Sequence, residues 1–320
     1  MHINELVKQL PKETKTKVEQ AKNAYNRIIR EAIRFESRLS LNSGKSDDIN
    51  EDNSSIKIPI KVEVGYPEEI ANFIIPEQYA FAAILSQIRN ELIRLKESAG
   101  IVSSFICAHQ HRDEMFEFAG GAICYSEIEA DKLLQIIDQY DLVKELLSFN
   151  KDILGCYRYS IDLSQFKNLT PANREIFLYW GVIGLMAPRL GVTIEALTAV
   201  TLAHELAHAY THLGYDIDGN RWSDNGFQDS DLEVTEGLAQ YYTERVVSRL
   251  ILKIPGGWDA YTKLLEKQSS YYQAHKRWIN EFKATPENVR ETLIQARSLQ
   301  RVLSNQFNDM LHQNNARRYR

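Results

Sequence analysis

Apolar residues between about 3 and 39 recur at Val18, Ala21, Tyr25, Ile28, Ile29, Ala32, Ile33 and Phe35 within a charged background. That spacing follows the helical period and predicts a long N-terminal helix. Residues 42–55, NSGKSDDINEDNSS, carry almost nothing apolar and read as a flexible linker with a solvated acidic run at Asp47–Asp52. Ile56, Ile58, Ile60, Val62 and Val64 then alternate with other residues, the period of a half-buried strand. A helix is expected after Pro76, to about Leu95. Residues 101–108, IVSSFICA, read as a second strand. Gly120-Gly121 breaks the pattern, Ala122–Tyr125 suggests a third short strand, and 127–149 is helical again.

Residues 153–163, ILGCYRYSIDL, read as a strand, turn or edge hairpin. Thr170-Pro171 opens an apolar helix whose core is Ile176–Ala187, closed by Pro188 and Gly191. Thr193 is placed to cap a long helix from Ile194 to about His212, ending at Gly214. A polar loop follows over 215–229, including the turn Asp216–Asn220. Ser230 and Glu233 have capping-box spacing, so another helix is expected from there to about Leu252. Pro255-Gly256-Gly257 marks a turn. The remainder is mostly helical to about residue 312, with a break at Thr285-Pro286 and a short basic tail at Arg317, Arg318 and Arg320.

Composition narrows the class. The chain has 320 residues, 44% hydrophobic and 25% charged, which excludes collagen-like and wholly disordered chains. A net charge of −5 gives no basic excess for nucleic acid or an anionic membrane. The apolar run Ile176–Ala187 is well short of the roughly 20 residues that a membrane span needs. Cys107, Cys124 and Cys156 have neither metal-ligand nor redox spacing, and no apolar leader is seen near Met1. A cytoplasmic, reducing setting is the expectation.

The chemistry concentrates in His204-Glu205-Leu206-Ala207-His208. Two imidazoles four apart on a helix stand one turn apart on the same face and can share a metal ion. Glu205, beside that face, can serve as a base for a water. The flanks are small and apolar, so buried histidines here need partners. A third ligand is required. A metzincin-type histidine would fall at position 214, which is glycine. His212 lies a further turn along the helix, too far to join both histidines, and suits a helix C-terminus. Glu236 on the next helix is the favoured candidate, with Gly237 allowing close helix approach. Glu233, one turn earlier, competes but has the capping role available.

HELAH followed by Thr235-Glu236-Gly237-Leu238-Ala239 resembles the gluzincin group of zinc metallopeptidases. The EGLA segment is similar to the NEGFA-type third-ligand motif of the aminopeptidases in that group. The resemblance implies that His204, His208 and Glu236 hold Zn2+ and that Glu205 is the general base. It covers two helices, with the strand near Gly155–Leu163 in the place of the edge strand before the active-site helix. Thr235 replaces the usual Asn, Gln240 stands where the thermolysin-like pattern has an acid, and no GAMEN-type sequence is present. The resemblance therefore extends to the broad group and not to aminopeptidase activity.

The expected fold class is α+β: a zincin-like metallopeptidase core with a mainly helical C-terminal lobe and a small mixed α/β N-terminal region. The segments are an N-terminal helix (1–41), a linker (42–55), an accessory region (56–150) and a catalytic portion (151–320). The expected activity is hydrolysis of a peptide or protein substrate by zinc-activated water, with no nucleic-acid or membrane partner. Two alternatives keep the zinc: a toxin-like or defence-associated protein acting on one dedicated partner, and a non-catalytic interaction module. Oxyanion donors are sought among Tyr241, Tyr242, Tyr271, Tyr272 and His275. Tyr272 and His275 are preferred for their place in one polar, aromatic segment. The strand near Gly155–Leu163 is expected to align substrate by backbone pairing. His109 and His111 read as solvated loop histidines.

Overall fold

The structure is a computed structural model. It describes residues 3–41, 58–64, 81–82, 84–85, 88–108, 114–139, 142–147, 153–159 and 174–317. The linker 42–55, Pro76, His109, His111, Thr170-Pro171 and the tail beyond 317 lie outside the described residues.

The described residues are mainly helical with one small sheet, an α+β arrangement. Helices α1 (Ile3–Lys8) and α2 (Glu13–Ser37) precede strand β1 (Ile60–Glu63). Helices α3 (Arg89–Ala108), α4 (Glu114–Gln139) and α5 (Leu142–Leu147) follow. Strands β2 (Gly155–Arg158) and β3 (Glu175–Tyr179) lead into α6 (Trp180–Arg189) and α7 (Ile194–Leu213). Beyond them stand α8 (Asp224–Asp229), α9 (Leu232–Arg249) and α10 (Gly257–Lys267). A 3₁₀ turn (Ser270–Gln273), α11 (Ala274–Asn280), α12 (Pro286–Ala296) and α13 (Ser304–Arg317) complete the order. Among the described residues, no helix is long and apolar enough to cross a membrane.

The sheet order is β1-β3-β2. β1 runs parallel to β3 in the register Ile60↔Ile176 and Val62↔Leu178. β2 runs antiparallel to β3, with Gly155 opposite Leu178 and Tyr157 opposite Ile176. β2 is thus an edge strand among the described residues.

Three local expectations are corrected. The apolar run Ile176–Ala187 is not one helix: Ile176–Tyr179 belong to β3, and α6 starts at Trp180. Ile176, Phe177, Leu178 and Tyr179 are all buried, as suits a central strand covered on both faces. Residues 101–108 are not a strand but the second half of α3, whose Ile101, Val102 and Phe105 are exposed. A short apolar run fits either element, and here it continues a helix already under way. Gly120-Gly121 and Ala122–Tyr125 lie within α4, which tolerates the glycines at a cost of about 1 kcal/mol each.

α7 is the centre of the molecule. Every residue from Ala196 to Leu213 is buried, the property of a helix surrounded on all sides. α2, α9, α10, β2 and β3 pack around it. As expected, Thr193 caps it by accepting from the Ala196 amide at 3.1 Å. Thr198, Thr201 and Thr211 satisfy their buried hydroxyls on carbonyls one turn back. At the far end Arg297, itself buried, donates to the Tyr210, Thr211 and Gly214 carbonyls at 2.6–3.2 Å. Carbonyls at a helix C-terminus lack the next turn's amides; here the Tyr210 carbonyl also accepts from the Gly214 amide. Burial pushes the Arg297 guanidinium down to about 10. Glu36 of α2 accepts from Arg245 at 3.0 Å and Arg249 at 2.7 Å, tying the N-terminal helix to α9.

Candidate metal centre

α7 and α9 pack side by side and bring three potential ligands together. His204 Nε2 lies 3.1 Å from His208 Nε2 and 3.1 Å from Glu236 Oε2. His208 Nε2 lies 3.3 Å from Glu236 Oε2. All three residues are buried. Two nitrogens and one carboxylate oxygen thus form a nearly equilateral triangle. Atoms about 2.0–2.1 Å from one tetrahedral ion are about 3.3–3.4 Å apart, so the triangle has the dimensions of one face of such a site. The group could hold a metal ion.

The electrostatics suit an anionic third ligand. Burial alone would push the Glu236 carboxyl up. The charges and hydrogen bonds of His208 and His204 outweigh it and hold Glu236 well below its ordinary range. His204 Nδ1 is buried with no hydrogen-bond partner among the described residues, so this imidazole is engaged through Nε2. Glu233 is exposed and contributes nothing to the cluster. Its expected capping box is also corrected. Asp231 is the N-cap residue of α9, and its carboxylate accepts instead from the Ser304 amide and hydroxyl. Ser230 Oγ donates to the Gly226 carbonyl and accepts from the Val302 amide.

Gly237 serves a different contact from the one expected. A Cβ there would meet Trp278 Cη2 at 2.8 Å and Ala274 Cβ at 3.3 Å, so the glycine admits α11 rather than α7. The close approach to α7 is made by Gly155 of β2. A Cβ on Gly155 would lie 2.8 Å from Thr201 Cγ2 and 3.0 Å from Glu205 Cγ. The edge strand therefore crosses the helix at Glu205, which is 2% exposed.

A cavity opens beside Glu205 and His204. Tyr272 lines it, with its ring centroid 5.9 Å from that of His204. Tyr241 and Tyr242 are buried and are not among its lining residues. His275 does not share the position of Tyr272, although both were preferred as oxyanion donors. The 3₁₀ turn ends at Gln273, and the His275 ring, fully buried, faces elsewhere. Its Nε2 lies 2.9 Å from Glu244 and 3.0 Å from the Tyr261 hydroxyl, and its Nδ1 lies 3.1 Å from the Tyr272 carbonyl.

His212 is kept out of the cluster, as its place along α7 requires, but helix-end placement is not its main role. It is fully buried between Tyr157, whose hydroxyl is 3.0 Å from Nδ1, and Asp224, 3.0 Å from Nε2. Burial pushes its pKa down, and Asp224 opposes this only in part. The His212 ring stacks on Phe227 at 4.5 Å, and Phe227 also meets His208 edge-on at 6.2 Å. Asp224 and Phe227 belong to α8, a helix inside the segment expected to be a polar loop. The one local signal is Ser223, whose hydroxyl caps α8 by accepting from the Gly226 amide. Tyr157 and Tyr159 share one face, as alternation requires, and both pack on His212. The Asp216 turn is closed internally by Asp216 Oδ1, which accepts from the Asp218 and Asn220 amides.

Comparison of the chain with protein-family models, curated proteins and solved structures finds no match. A functional reading therefore rests on the geometry of the site and on its motifs.

Proposed function

We propose that the chain is a zinc-dependent peptidase with a zincin-like core. His204, His208 and Glu236 hold the ion, and Glu205 is the general base. The observation that carries the reading is the triangle of ligand atoms at 3.1–3.3 Å with Glu205 next to it on the same helix, beside an open cavity. Two imidazole nitrogens and a carboxylate are a donor set suited to zinc with one position left for chemistry. When bound, the ion supplies the positive charge that polarises a carbonyl and acidifies water. Glu205 accepts the proton of the attacking water and returns it to the leaving amine. Tyr272, which lines the cavity, donates to the developing oxyanion in this reading. The outer edge of β2, an edge strand among the described residues, aligns the extended peptide by main-chain hydrogen bonds, while its inward face is held by Tyr157 on His212. Structural zinc sites usually use four protein ligands, and three converge among the described residues, a set that suits catalysis.

The reading is tested by digesting a proteome-derived peptide library with the chain, first stripped by chelator and then reloaded with zinc. Cleavage that returns only with zinc is the expected result. Absence of cleavage at full zinc occupancy, with one cellular protein cut instead, would favour the dedicated-partner alternative.

A further inference from the structure

The cavity beside Glu205 has a mixed lining that selects among substrates. Its apolar walls include Leu147 of α5, Ile153 ahead of β2, Val200 of α7 and Leu264 of α10. Among the described residues no lysine, arginine or aspartate lines it, and its acidic side chain is Glu205. A charged side chain entering it would lose water without gaining a counter-charge free of another task.

Two polar groups in this lining are left incomplete. Gln240, 3% exposed, donates through Nε2 to Gln268 Oε1 at 3.1 Å. Its Oε1 is buried and has no hydrogen-bond partner among the described residues, and the same is true of Ser269 Oγ. Buried polar atoms are nearly always paired, so a pair left open in a cavity is a site for a complementary group. The open groups are a carboxamide oxygen, which accepts, and a hydroxyl, which can donate. One small neutral group answers both: another carboxamide, with its NH₂ on Gln240 Oε1 and its carbonyl on the Ser269 hydroxyl. A carboxylate offers only acceptors and would repel Gln240 Oε1. An aliphatic side chain would leave both groups unpaired.

We infer that this cavity receives the side chain of a glutamine next to the hydrolysed bond. The methylene stem lies against Val200 and Leu264, and the amide is read by Gln240 and Ser269. The inference rests on the peptidase reading for the place of that glutamine, while the carboxamide recognition is measurable by binding alone.

The N-acetyl amides of glutamine, glutamate and leucine are titrated into the zinc-loaded full chain. The methyl resonances of Leu147, Val200 and Leu264 report occupancy. The glutamine compound should bind at least about tenfold more tightly than the other two, because each of those leaves a buried polar group of the site unpaired. Gln240→Leu should bring the ratio with leucine to about one. Ser269→Ala, a milder change, should reduce it severalfold with an unchanged melting temperature. Equal or tighter binding of the leucine compound, or no binding of any of them, overturns the inference. Selective glutamine binding by a chain that cleaves no peptide supports the recognition site and removes the peptidase reading instead. Peptide cleavage indifferent to glutamine removes the inference alone.

Discussion

Gly155 of β2 and Glu205 of α7 approach closely where the edge strand crosses the helix. A side chain at Gly155 would press within 3.0 Å of Glu205 Cγ and within 2.9 Å of the Phe177 carbonyl. The carbonyl is sheet backbone and cannot swing aside, so the strand or the glutamate must shift. Gly155→Ala should lower stability by about 1–3 kcal/mol, the usual cost of overpacking. It should also reduce hydrolysis while zinc remains bound, because the ligands lie elsewhere. Thermal melts and elemental analysis check this; an unchanged melting temperature would contradict the packing described.

Glu236 and Glu233 stand one turn apart on α9 with opposite surroundings. Glu236 is buried between two imidazoles and Glu233 is exposed. Glu236→Ala should strip most of the zinc from the purified chain, and Glu233→Ala should leave it in place. Zinc content per chain, by elemental analysis, decides between them. Full occupancy in Glu236→Ala would assign the third ligand elsewhere.

Tyr272 and His275 should separate on mutation. Tyr272→Phe keeps the ring against His204 and removes one hydroxyl from the cavity wall. Turnover should fall with zinc content and melting temperature nearly unchanged. His275→Ala opens a buried hole and removes a partner of both Glu244 and Tyr261. Stability should fall by about 2–4 kcal/mol, as for other broken buried networks. Normal stability of His275→Ala together with lost turnover would return His275 to the active site.

Glu244 gives the fold an acid limb. Burial pushes its carboxyl up, but hydrogen bonds from His275 and Lys276 outweigh that and hold it at about 2. In the unfolded chain a glutamate titrates near about 4.3. The ionised group therefore stabilises the fold in full above that value, and the contribution is lost as pH falls through it toward about 2. Glu244→Gln should be less stable at pH 7 and should show a flatter loss of stability over this range. Denaturant titrations at a series of pH values test it; parallel curves for the two proteins would contradict it.

Much of the site is legible in the sequence because its signals are local. Thr193 caps α7, the histidine spacing is helical, and Glu236 stands on the next periodic segment. The rest depends on contacts between distant segments. Ile176–Tyr179 continue into Trp180–Ala187 as one apolar run, and only pairing with Ile60–Glu63 on one side and Gly155–Arg158 on the other makes the first part a strand. Arg297 caps α7 from just past the end of α12, about eighty residues further along the chain. Asp224 and Phe227 sit in a polar stretch and gain meaning only when His212 is placed between them and Tyr157. Gly237 is visible as a close-packing residue, but its neighbour Trp278 is not. Gln240 reads as a departure from a motif, and its cavity appears only once α9, α10 and β2 are assembled.

The central claim is that Glu205 moves the proton beside an ion held by its neighbours. The most direct measurement is the peptide hydrolysis rate of Glu205→Gln at full zinc occupancy, relative to the wild-type chain. The substitution keeps size and removes basicity. Zinc should stay bound, and the rate should fall by about 10²–10⁴-fold, the contribution of general base catalysis. A variant that retains zinc and hydrolyses peptides at the wild-type rate would contradict the account.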